Sequence, residues 1–145
     1  MIQLRIATAA DAAVLARLIE EFNADYRSIT VMAEQAAARL AACQGIETTM
    51  LAEVDGQVAG FACLRLVPYM SGDEPYAELT DLFVAPAYRR RGVGRVLIER
   101  IEQMARAGGA AEVIILTGFD NAPALGLYRA LGYGDYALAL RKRLE

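Results

Sequence analysis

Apolar and polar side chains alternate through residues 2–7 (IQLRIA), a period of two that predicts a strand. The period then lengthens. Val14, Leu15, Leu18, Ile19 and Phe22 recur at helical spacing behind Thr8 and Asp11, a variant of the capping box, which predicts a helix running to about Tyr26. A second, Ala-rich helix is expected from about Thr30 to Cys43, with Gly45 as its stop. Two strand-like runs, 48–54 and 57–67, flank Asp55-Gly56, a pair suited to a two-residue hairpin turn. Residues 68–75 have loop composition, and 76–84 (YAELTDLFV) return to strand before Pro86. Val93, Leu97, Ile101 and Met104 share one face of a helix expected over about 92–107, closed by Gly108-Gly109. The wholly apolar run within 112–117 predicts a strand buried on both faces. Asn121 and Pro123 open a short helix through Leu131, Gly132 ends it, and 136–144 alternate as a last strand.

The order β-α-α-β-β-β-α-β-α-β predicts an α/β fold with a mixed central sheet flanked by helices. At 145 residues, with neither linker nor repeat, the chain is expected to form a single domain over 1–145. It is 56% hydrophobic and 23% charged, with a formal net charge of -3, so neither nucleic acid nor an anionic membrane is an expected partner. Having no histidine, it has no His-based general base, and no metal site is expected. Cys43 and Cys63 lack CxxC spacing and point to reduced thiols, and the N-terminus lacks the apolar core of a signal peptide; a cytoplasmic location is the expectation.

Against that acidic balance, residues 88–95 (YRRRGVGR) concentrate positive charge and two glycines where a strand gives way to a helix. First-turn amides have no intrahelical partner and sit at the positive end of the helix dipole, so an anion completes them. Gly92 and Gly94 would let the backbone approach a phosphate, and Arg89, Arg90 and Arg91 would add charge-assisted donors. No Gly-Lys-Ser/Thr follows and the third Rossmann glycine is missing, so neither common phosphate loop fits. A solvated basic helix start is the plainer alternative.

Arg89-x-x-Gly92-x-Gly94, set between LFVAP and RVLIERIEQMA, resembles the pyrophosphate-binding motif of the GNAT superfamily of acetyl-coenzyme A-dependent N-acetyltransferases. The opening LRIATAADAAVLARLI and the closing NAPALGLYRALGY resemble the family's first and last conserved segments. This resemblance implies acetyl-coenzyme A as cosubstrate and an amine as acceptor. It implies that backbone groups of Leu82, Phe83 and Val84 pair with the pantetheine arm, that amides from Arg89 through Val93 and Gly94 hold the pyrophosphate, and that Asn121 meets the pantetheine amides. Glu78 matches a catalytic glutamate of certain members, and Tyr128 matches the tyrosine proposed as general acid toward the leaving thiolate. Asp81 is a second carboxylate on the same strand, placed by period-two alternation on the opposite face from Glu78.

In the family the acceptor side is lined by the segment joining the first two helices and by the loop between the third and fourth strands. Here these hold Phe22, Tyr26, Tyr69, Met70, Asp73 and Glu74, carboxylates beside aromatics that would suit a cationic amine. Few residues follow LGY, so a wall of that pocket is either missing or supplied by a partner subunit in a homodimer. The expected function is transfer of an acetyl group to a primary amine of a small molecule by direct attack on the thioester. The alternatives are a protein or peptide amine as acceptor, and a non-catalytic coenzyme A-binding module.

Overall fold

The structure is a computed structural model describing residues Met1–Glu145. Two compact units are described in turn, Met1–Ile114 and Ile115–Glu145. The first holds β1 (Ile2–Ile6), α1 (Ala12–Asn23), α2 (Ala33–Cys43), β2 (Glu47–Val54), β3 (Gln57–Val67), β4 (Tyr76–Val84) and α3 (Val93–Ala107). A two-residue strand, β5 (Ile114–Ile115), follows, and the sheet order is β1-β2-β3-β4-β5. Pairing from β1 through β4 is antiparallel.

Local chemistry explains the element starts. Asp11 accepts the Thr8 amide at 2.7 Å and both terminal nitrogens of Arg5 at 2.8 and 2.9 Å, which ties the start of α1 to β1. Helix α1 ends at Asn23, short of the expected Tyr26. The connection is then held by the Val31 amide donating to Glu20 Oε1 at 2.6 Å, and α2 opens at Ala33 with the Met32 amide on the Gln35 side chain. Asp55 and Gly56 both adopt positive φ, as the hairpin predicts.

Strand β3 is buried on both faces from Ala59 through Leu64. Leu51, Phe61, Cys63 and Phe83 pack with Leu15, Leu18, Val31 and Ala36 beneath α1 and α2. Helix α3 covers β3 and β4 with Val93, Leu97, Ile98 and Ile101 buried. The aromatic centre of the first layer is a triangle of Phe22, Phe61 and Phe83 with centroids 5.7 to 6.3 Å apart, Phe22 and Phe83 meeting edge to face and the other two pairs tilted.

The second unit contains α4 (Ala122–Ala130), ended by Gly132 at φ +94. Of the last two expected strands, one forms in part and the other does not form. Only Ile114 and Ile115 of the run 112–117 form ladder, and they are half-buried rather than enclosed. No strand forms over 136–144, where Tyr136, Leu138 and Leu140 alternate as expected but stand exposed. Alternation supplies a face, whereas a strand also needs a neighbour to bond to.

Candidate functional site

At the end of β4 the chain turns through Pro86–Tyr88 into α3, whose N-cap is Gly92 at φ +81. Arg90 also adopts positive φ, at 62°. The first bond into the helix is from the Val96 amide to the Gly92 carbonyl, so the first-turn amides of Val93, Gly94 and Arg95 are open, whereas the Arg89 amide, expected among the pyrophosphate donors, donates to the Pro86 carbonyl at 3.3 Å. Arg90 and Arg91 are exposed, and none of Arg89, Arg90 and Arg91 forms an ion pair. Arg91 lies over the Tyr88 ring. Arg89 differs: its Nε donates to the Val84 carbonyl at 2.8 Å and its guanidinium covers the Phe83 ring, so it braces the loop against the strand. Val93 is fully buried, leaving only its amide for an anion, and a Cβ added at Gly92 would meet nothing within 4 Å. Open amides, uncommitted cations and an unobstructed glycine fit a phosphate group.

The three residues at the end of β4 are not equivalent. The Ala85 amide donates to Ala59 of β3, and ladder alternation therefore turns Phe83 toward β3 and Leu82 and Val84 toward the other edge. Phe83, expected among the backbone contacts, instead belongs to the core through its ring and to the β3 ladder through its backbone.

On the α1–α2 face of the sheet lies a cavity of about 340 Å³, with Leu15, Ile19, Phe22 and Phe61 as its apolar wall and Glu47, Cys63 and Asp81 among its polar lining. Of the residues expected on the acceptor side, Phe22 lines it; Tyr26, Tyr69, Asp73 and Glu74 stand exposed and do not. Sequence reasoning missed Glu47, whose position follows from strand pairing.

The strand pairing also corrects the placement of Asp81. Glu78 lies opposite Arg65 and Asp81 opposite Cys63, with a register shift between them that leaves Thr80 as an extra residue. Arg65 and Cys63 are two apart on β3, so Glu78 and Asp81 share a face. Their surroundings differ. Glu78 accepts the Tyr76 hydroxyl at 2.6 Å, and burial with this bond pushes the Tyr76 phenol up to about 12. Glu47 accepts the Thr80 hydroxyl at 2.6 Å and stands 3.7 Å from Arg65. Asp81, half-buried, makes neither a hydrogen bond nor an ion pair, and burial followed by the charges of Glu47 and Glu78 raises its pKa.

Glu47, Cys63 and Asp81 bring their ligating atoms within 4.8 Å of one another. Burial pushes the Cys63 thiol up to about 12, and Glu47 already accepts the Thr80 hydroxyl. Cys43 and Cys63 are both free thiols.

In the second unit, Tyr128 is buried at 9% exposure, stacks edge-on against Tyr133, and has its phenol pKa raised by burial. Asn121 is the N-cap of α4, but its side chain makes no capping bond and reaches only Thr117 Oγ1 at 3.5 Å.

The family model described as Acetyltransferase (GNAT) family matches residues 15–133. The chain belongs to that family. It is 34% identical to an IAA acetyltransferase of Azospirillum brasilense over 86 residues, covering 59% of this chain and 54% of the relative. It is 34% identical to an aminoglycoside N(6')-acetyltransferase type 1 of Klebsiella aerogenes over 87 residues, covering 57% and 56%. The chain thus spans about half the length of these curated relatives. The fold matches an aminoglycoside acetyltransferase from an uncultured soil metagenomic sample, solved with sisomicin, at a TM-score of 0.84 and 19% identity, covering 99% of this chain and 97% of that one. No helix is long and apolar enough to cross a membrane.

Proposed function

We propose that the protein transfers the acetyl group of acetyl-coenzyme A to a primary amine of a small molecule. The observation that carries this reading is one strand serving two ends. Strand β4 runs into the open amides and unpaired arginines before α3, and its middle carries carboxylates on the face that holds the cavity.

In this reading the amides around Gly92 to Arg95 and the charges of Arg90 and Arg91 hold the pyrophosphate, and the outward backbone groups of Leu82 and the Val84 amide pair with the pantetheine arm, the Val84 carbonyl being held by Arg89. An amide there donates to the thioester oxygen as charge develops on it. The acceptor, an ammonium at neutral pH, must lose a proton before its nitrogen can attack, and a carboxylate of the β4 face accepts it. The family resemblance implies the Tyr128 phenol, its pKa raised by burial, as proton donor to the departing sulfur, and Asn121 as a partner of the pantetheine. The cavity volume suits a small amine or one side chain.

A coenzyme A-release screen over polyamines, aminoglycosides, aralkylamines, amino acids and peptides, with calorimetric titration of acetyl-coenzyme A, tests the reading. Release with a small amine supports it, and release with peptides alone moves the acceptor class. Tight coenzyme binding without release across the panel leaves a binding module, and no coenzyme binding ends the reading altogether.

A further inference from the structure

Three carboxylates converge on the α1–α2 face, and two are already committed. The Tyr76 hydroxyl holds Glu78, while the Thr80 hydroxyl and Arg65 hold Glu47. Asp81 alone is without a partner, although it is half-buried and lines the cavity, which Glu78 does not. No buried side-chain oxygen lacks a partner, so the Asp81 carboxylate, unbonded within the protein, still reaches the solvent of the cavity and is open to a ligand there. The cavity supplies the place. Its wall of Leu15, Ile19, Phe22 and Phe61 suits the apolar stem of an amine, and its carboxylates suit the ammonium end.

We propose that Asp81, rather than Glu78, is the catalytic base that receives the acceptor's proton. This rests on the transferase reading above. The ammonium gives one proton to the Asp81 carboxylate. The freed nitrogen lone pair forms the C–N bond at the thioester carbonyl, and collapse breaks the C–S bond. The second nitrogen proton ends on the sulfur, so the products are an amide, coenzyme A thiol and one proton released from Asp81 to solvent.

The charged and titratable groups facing Asp81 are Glu47 from β2, Cys63 and Arg65 from β3, Glu78 on β4, and Cys43 and Arg39 from α2. Burial first, then Glu47 and Glu78, raise the Asp81 pKa and bring its proton affinity closer to that of an amine.

The test is the pH dependence of kcat for Asp81→Asn and Glu78→Gln with the best amine of the panel. Asp81→Asn should lose roughly 100-fold or more in kcat, lose the acidic limb of the wild-type profile, and recover as the pH approaches the amine's own pKa. Acetyl-coenzyme A affinity should stay within about twofold. Asp81→Ser removes the same carboxylate with less bulk and should match it, so a folding failure of one variant does not shelter the inference. Glu78→Gln should keep the limb but move it to lower pH, because a like charge beside Asp81 is gone. A limb abolished by Glu78→Gln, or an Asp81→Asn profile superimposable on wild type, overturns the assignment and leaves the transferase reading standing. A wild-type chain that binds coenzyme but acetylates nothing overturns both.

Discussion

Gly92→Ala separates a backbone effect from a ligand effect. At φ +81 the glycine sits where an L-residue is disfavoured, and its added Cβ would touch nothing within 4 Å, so no clash contributes. The cost is then that of the left-handed conformation alone, about 1 to 1.5 kcal/mol. For 145 residues the unfolding entropy near the midpoint is roughly 0.3 kcal/mol/K, so the thermal midpoint should fall by about 3–5 °C. If this glycine lets a phosphate approach the open amides of α3, coenzyme A affinity should also fall, by about tenfold or more.

Gly45, after α2, supplies the control. Its φ is +80 and its added Cβ also meets nothing within 4 Å, but it lies at the carboxyl end of a helix, where the dipole repels anions. Gly45→Ala should therefore show the same drop in midpoint with unchanged coenzyme affinity. Scanning calorimetry and isothermal titration on both variants check the pair. Equal coenzyme affinity in the two would refute the phosphate assignment, and an unmoved midpoint in both would refute the conformational argument beneath it.

The Arg5–Asp11 pair should matter for stability. A carboxyl held at about 2 against its ordinary 3.8 corresponds to about 2.5 kcal/mol. Solvent around Arg5, whose side chain is 42% exposed, reduces that to roughly 1–2 kcal/mol for Asp11→Ala. Because the native pKa is depressed, the wild-type advantage should be complete above pH 4 and vanish as the pH falls through 2, read by urea unfolding across that range. Asp81→Asn should behave oppositely, since a raised native pKa makes ionisation costly. Its midpoint should exceed wild type at pH 8 and the difference should close as the pH approaches 4. Tyr128→Phe should lower kcat by about tenfold or more with coenzyme affinity nearly unchanged; an unaltered kcat would remove the general-acid role.

Period and punctuation made most of the first unit legible. Asp55-Gly56 set the hairpin, Pro86 ended β4, and the Val93-Leu97-Ile101 stripe marked the buried side of α3. What was lost depends on partners. The pattern of 136–144 is that of a strand, yet Leu138 and Leu140 remain exposed because alternation cannot supply a neighbour. The phosphate loop was legible because helix start, glycines and arginines are contiguous. The cavity was not, since Glu47, Cys63 and Asp81 come from three strands whose registers are set by bulges. Counting back from the hairpin turn without a bulge would pair Glu47 with Leu64, but the shift between Ala52 and Glu53 moves it to Arg65 and so onto the face that holds the cavity. Gly60, inside β3 beside that shift, was the one local hint, because a glycine in a strand interior often marks such a place.

The second bulge left no such hint, and its physical cause is the charge it relocates. Strict alternation along β4 would place Ala77, Leu79, Asp81 and Phe83 on one face. Ala77 and Leu79 pair with Leu66 and Leu64, on the face opposite Phe61 and Cys63. Asp81 would then enter the apolar layer that α3 covers, where a carboxylate has nothing to bind. One extra residue at Thr80 turns the remainder of the strand over. Phe83 gains the aromatic triangle with Phe22 and Phe61, the Thr80 hydroxyl finds Glu47, and Asp81 gains the cavity. The same bulge therefore resolves a packing conflict and creates the uncommitted carboxylate. A deletion that restored strict alternation would have to destabilise the domain and remove the base together.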